Sequence, residues 1–206
     1  MEKTIYLDHA ATTKVDDRVL KKMIPYFSIN YGNPSSMYFL GRNNKRIIET
    51  ARETVASCIG AKPKEIYFTS CGSESDNLAL KGIAYENKHR GRHIITSKIE
   101  HPAILNTCKT LERQGFDVTY LNVDKKGFIS LEELENSIRV DTILISIMYA
   151  NNEIVTIQPI EQIARIAKLN NVYFHTDSVQ AIGNIRINVK ELGIDLLSNF
   201  LTLLNK

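Results

Sequence analysis

The run TILISIM at residues 142–148 constrains the fold more than any other part of the chain. It carries no charge and is rich in β-branched residues, the pattern of a strand covered on both faces. Burial on both sides is the habit of parallel strands sandwiched between helices. The rest of the chain follows suit. Candidate strands at Ile66–Thr69, His93–Ser97, Val118–Val123, Thr142–Met148, Val172–Thr176 and Asp195–Ser198 alternate with helical patterns. The helical patterns lie near Ser73–Asn87, Pro102–Gln114, Leu131–Ile138 and Pro159–Leu169, with two more, Asp16–Phe27 and Arg42–Ile59, ahead of the first strand. In the last of these, Ile47, Ile48, Ala51, Val55 and Ile59 recur at three- and four-residue steps, which marks one apolar face. Gly60, Gly115 and the Asn170-Asn171 pair fall where helices should stop. The expected class is α/β, a mostly parallel sheet flanked by helices.

Composition removes several functions. A chain of 206 residues can bury a core without disulfide staples, and its three cysteines, irregularly spaced, form neither a disulfide framework nor a metal cluster. The net charge of +3 is spread along the chain, which argues against nucleic acid or a membrane surface as partner. MEKTIYLDHAATT contains no long apolar run, and the most apolar stretch, Ile143–Ala150, is too short to span a bilayer, so a cytoplasmic location is expected. No two of the ten glycines are separated by a single residue, and no Gly precedes Lys-Ser or Lys-Thr. Both common glycine-rich nucleotide loops are therefore absent.

In parallel sheets, ligands collect beyond the carboxyl ends of the strands. That rule selects four stretches: Ser70–Asn77, Glu100–Pro102, Ala150–Glu153 and Asp177–Gln180. In TSCGSESDN (69–77), Gly72 permits a tight turn and Ser73 can cap a helix whose free N–H groups would hold a phosphate; an ordinary N-cap explains the same residues. His101 in EHPAI can be a cap, a stacking ring or an acid/base group. The paired amides of ANNEI (150–154) suit either a turn or donors to a ligand oxygen. In HTDSVQ (175–180), Asp177 ends an apolar strand and must find a partner, either a basic side chain or a protonated ring nitrogen, and Gln180 reaches the same space. A phosphate cradle, a stacking His, an amide and a terminal Asp are together what a pyridoxal phosphate site needs.

YLDHAATT (6–13), YGNPSS (31–36), FTSCGSESDNLALKG (68–82), EHPAI (100–104), NNEI (151–154) and HTDSVQAIG (175–183) occur in that order. This series resembles the motifs of NifS/IscS-type cysteine desulfurases, in the class V aminotransferase group of pyridoxal phosphate (PLP) enzymes of fold type I. The resemblance covers about the first half of such an enzyme. It implies a short N-terminal segment (1–15), a partial PLP-binding large domain (16–198), a divergent tail (199–206) and no C-terminal domain. It further implies that Gly72 and Ser73 hold the cofactor phosphate and that His101 stacks on the ring and serves catalysis. Asn152 would contact the ring hydroxyl side, Asp177 the ring nitrogen and Gln180 the phenolate oxygen. Family members convert L-cysteine to L-alanine and pass persulfide sulfur to an acceptor or iron–sulfur scaffold protein, usually as homodimers.

The tail departs from the family. Phe200, Thr202 and Leu203 stand where the resemblance places a Ser, a His and the Schiff-base lysine, and Lys206 matches no family position. Cys58, Cys71 and Cys108 match no persulfide loop; Cys58 and Cys108, within helices, are expected to be buried. The expectation is a truncated desulfurase, inactive alone and poorly soluble. The alternatives are a non-catalytic scaffold or binding module pairing with a full-length relative, or a fragment of another class V enzyme such as selenocysteine lyase.

Overall fold

A computed structural model describes residues 5–9 and 12–199. Its centre is a five-stranded, all-parallel sheet: β1 (His93–Ser97), β2 (Asp117–Leu121), β3 (Thr142–Ser146), β4 (Tyr173–Asp177) and β5 (Leu196–Ser198), in the order β2-β1-β3-β4-β5. Parallel pairing requires crossovers, and the helices supply them. Among the described residues, α1 (Asp17–Met23), α2 (Pro25–Ser28), α3 (Phe39–Ile59) and α4 (Gly72–Glu86) precede β1, while α5 (Pro102–Arg113), α6 (Leu131–Ser137), α7 (Ile160–Leu169) and α8 (Val189–Leu192) lie between successive strands and make the crossovers.

β3 is buried along its whole length, as its apolar run predicts, and so is β1 despite its polar His93, Thr96 and Ser97. One face of the sheet packs Ile95, Ile145 and Phe174 against α7, and the other packs Ile94 and Leu144 against α4 and α5. Gly60 and Gly193 end α3 and α8 in the left-handed conformation, which a residue without a Cβ adopts freely.

Three sequence expectations change. The segment 66–69 is no strand: Ile66 is extended, but this stretch pairs with no strand among the described residues. The helix expected over Asp16–Phe27 divides at Ile24-Pro25, because proline cannot donate to the preceding turn. Cys58 lies on the exposed side of α3 rather than in the core.

The YGNPSS motif is structural here. Asn44 of α3 donates to the carbonyls of Asn30 at 2.7 Å and Gly32 at 2.6 Å. A Cβ on Gly41 would come within 2.5 Å of the Asn33 and Ser36 carbonyl oxygens, so the loop can fold onto α3 only over a glycine.

Candidate active site

Beyond the carboxyl ends of β1, β3 and β4 lies a cleft of about 330 Å³, closed on one side by the start of α4. That is within the roughly 300–1,000 Å³ of small-molecule sites. Gly72, Ser73, His101, Asn152, Asp177 and Gln180, from four separate segments, all line it. A larger cleft of about 620 Å³ lies between segment 66–69 and β5, but its walls are mostly apolar, among them Val19, Ile59, Phe68 and Leu197. The smaller cleft is where polar groups converge.

Helix α4 begins one residue earlier than the sequence suggested. Its N-cap is Cys71, whose side chain makes no capping bond, so Ser73 is the second helical residue and its hydroxyl is not used as a cap. The first-turn N–H groups lack acceptors within the helix and sit at its positive end. Glu74 turns away from them, accepting from the Ser70 amide at 2.5 Å and its hydroxyl at 2.7 Å. A Cβ on Gly72 would approach Val179 Cγ2 to 3.3 Å, so glycine keeps this wall of the cleft open. The arrangement suits an anion.

His101 is both a cap and a cleft residue. It is the N-cap of α5, and its Nδ1 accepts from the Ala103 amide at 3.1 Å. That bond leaves the proton of a neutral ring on Nε2. Of the paired amides, Asn151 shapes the turn: its Nδ2 donates to the Ile99 carbonyl at 3.0 Å, and its Oδ1 accepts from Glu153 and Ile154 at 2.8 and 3.0 Å. Asn152, held by that turn, faces the cleft.

Asp177 is the last residue of β4 and only 7 % exposed. Its Oδ1 accepts from the Val179 amide at 3.0 Å. Burial raises its pKa, while that amide and the charge of His101 favour the anion.

Sequence reasoning passed over three buried polar residues around this floor. Asp76, one turn into α4, is 1 % exposed, and its Oδ1 has no hydrogen-bond partner. Burial first, and then the charge of Asp177, push its pKa up to about 7. His175 bridges the Ser146 hydroxyl at 2.9 Å and the Ser198 hydroxyl at 3.0 Å, and burial lowers it to about 3, so it is neutral. Glu100 accepts from the Ser97 hydroxyl at 2.6 Å and the Met148 amide at 3.0 Å, tying the ends of β1 and β3 together; burial raises it to about 8. The spacing of Asp76 from Gly72, one turn along the helix, was the available signal.

Sheet order and cleft define an α/β scaffold with a candidate small-molecule cleft at its strand ends. The class-V aminotransferase family model matches residues 5–199, and the chain belongs to that family. It is 60 % identical over 196 residues to a cysteine desulfurase IscS of Methanosarcina thermophila, covering 95 % of this chain and 48 % of the relative. A putative cysteine desulfurase IscS 1 of Bacillus subtilis is 54 % identical, with 94 % and 51 % covered. Among solved structures, SspA in complex with cysteine superposes with a TM-score of 0.91 at 45 % identity, covering 95 % of this chain and 57 % of the other. A NifS-like protein gives 0.90 at 47 %, with 94 % and 54 % covered. The chain spans about half the length of the curated relatives it matches. Leu203 and the rest of the tail lie outside the described residues.

Proposed function

We propose that the cleft holds pyridoxal 5′-phosphate and forms the cofactor-holding part of a cysteine desulfurase. The convergence of six polar or glycine residues from four segments on one pocket carries this reading. Its features match the group: orphan N–H groups for a phosphate, a buried carboxylate for a ring nitrogen and a fixed imidazole at the rim.

When bound, the cofactor supplies an electron-accepting ring that lets a bond at the substrate's α-carbon break. The chain's residues position and tune it. The start of α4 and the Ser73 hydroxyl hold the phosphate. Asp177 keeps a proton on the ring nitrogen, and Asn152 and Gln180 donate to the ring oxygen. His101 covers the ring face and is placed to move a proton through Nε2. The relatives' names and the cysteine-bound neighbour support L-cysteine as substrate, with L-alanine and persulfide sulfur as products. A homodimer and a sulfur-acceptor or iron–sulfur scaffold partner belong to the same reading. The three free cysteines accord with a reducing compartment such as the cytoplasm. With Leu203 at the lysine position, this chain alone is proposed not to turn over.

The test uses 4′-deoxypyridoxine 5′-phosphate, which keeps the ring, hydroxyl and phosphate but lacks the aldehyde, so lysine chemistry cannot contribute. Fluorescence titration should show saturable binding at one site. Asp177→Asn should weaken it by more than a hundredfold, since stripping one partner from a buried charge pair costs about 3–5 kcal/mol. No saturable binding by the unaltered chain, or equal binding by the variant, would refute the assignment.

A further inference from the structure

The floor of the cleft holds one more acid than a single ring nitrogen requires. Asp76 and Asp177 are both buried, and their carboxylates and the His101 ring present atoms within 4.8 Å of one another. Two carboxylates this close and this dry do not both ionise readily unless a cation joins them. The nearest ion-pair partner of Asp76 among the described residues is His175, at 3.8 Å from Oδ1. That imidazole is neutral, its nitrogens already engaged by Ser146 and Ser198. Asp76 Oδ1 is thus a buried oxygen without a hydrogen bond, in a side chain that lines the cleft.

We propose that Asp76 is a second anion for a cationic ring nitrogen seated on Asp177, protonated without that cation and ionised once it arrives. The inference rests on the cofactor reading above and adds to it a positioning residue beneath the ring. Only a proton moves: the Asp76 O–H bond breaks, and the proton leaves to solvent. The gain is a ring nitrogen held in its charged form by two carboxylates.

Electrostatics set the expected size. A charge about 5 Å away at an effective dielectric of about 20 shifts a carboxyl by roughly two pH units. By linkage, the benefit of Asp76 to binding should be roughly a hundredfold where it is already ionised, and near none where it stays protonated. The other titrating groups facing it are Asp177 and His175 on β4, with His101 and Glu100 between β1 and α5. All four are common to the two proteins compared, so a ratio of affinities cancels them.

The experiment compares the unaltered chain with Asp76→Asn, isosteric and uncharged, by titrating each with 4′-deoxypyridoxine 5′-phosphate at pH 5 and pH 8. The expected result is near-equal affinity at pH 5 and a roughly hundredfold weaker variant at pH 8. Calorimetry at pH 6.5 in two buffers of different ionisation heat should show the unaltered chain releasing over half a proton more than the variant. An affinity ratio that is the same at both pH values, or equal proton release, would overturn the assignment and leave Asp76 a purely structural residue. Failure of the unaltered chain to bind the probe would sink the cofactor reading and this inference with it. Unchanged affinity of the variant at pH 5 also shows that it folds.

Discussion

Phe174 and Phe27 are the same residue in two different halves of the molecule. Phe174, in β4, is fully buried, whereas Phe27, in α2, is 77 % exposed. The contrast extends to their surroundings. From Gly72 to Ser198, apolar side chains collect into two buried clusters, one on each face of the sheet. Among the described residues before Gly72, only Val55, Ala56 and Ile59 are buried apolar side chains, while Met37, Phe39 and Tyr67 stand in solvent. The later region satisfies its own hydrophobic pattern. The earlier one leaves more of its large apolar side chains exposed.

The largest effect that would break this comparison is a pair of truncations. Phe174→Ala should cost about 3–5 kcal/mol of unfolding free energy, and Phe27→Ala less than about 0.5 kcal/mol, read from urea denaturation. A costly Phe27→Ala would mean that the early region packs in solution as tightly as the later one.

A smaller effect comes from the buried acids, which among the described residues lie only in the later region. Burial raises Asp76 to about 7 and Glu100 to about 8, from ordinary values of 3.8 and 4.5. The folded state therefore keeps protons that the unfolded chain has released, and stability falls as pH rises through these values. His175, lowered from 6.5 to about 3, and His93, also lowered, act in the opposite sense below pH 6.5 and offset the acids there. Unfolding free energy should drop by on the order of 2 kcal/mol between pH 6.5 and pH 8. A steady rise over that interval would contradict the assignment of these acids. The smallest effect is a labelling pattern. Iodoacetamide should modify exposed Cys58 and Cys71 and spare Cys108, buried and with its thiol pushed up to about 12. Mass spectrometry with the cofactor analogue present should show protection at Cys71, which lines the cleft, and none at Cys58.

The sheet was legible because its central strand carries its own burial pattern: TILISIM is free of charge and mostly apolar, and it ends up covered throughout. Segment 66–69 carries a similar local pattern yet forms no strand, since a strand exists only with a hydrogen-bonded neighbour, and composition cannot supply one. The cleft was legible at the strand ends, where Asp177 and His101 interrupt apolar or turn-forming sequence. Asp76 and His175 were not. One sits mid-helix, where an Asp is usually solvated; the other sits inside a strand, and only the fold reveals that Ser146 and Ser198 flank it. The cap expected at Ser73 lies two positions earlier because Cys71, a poor capping residue, holds the N-cap.

The strand order has a bearing on how the polypeptide is made. No two sheet neighbours form a hairpin, and the central β1–β3 pairing joins Ile94 to Leu144 across the whole of α5, β2 and α6. A ribosome must therefore release most of the chain before the middle of the sheet can close. Until then Ile94 and Ile95 of β1 lack their cover, and assembly is paced by long-range encounters rather than by local zippering.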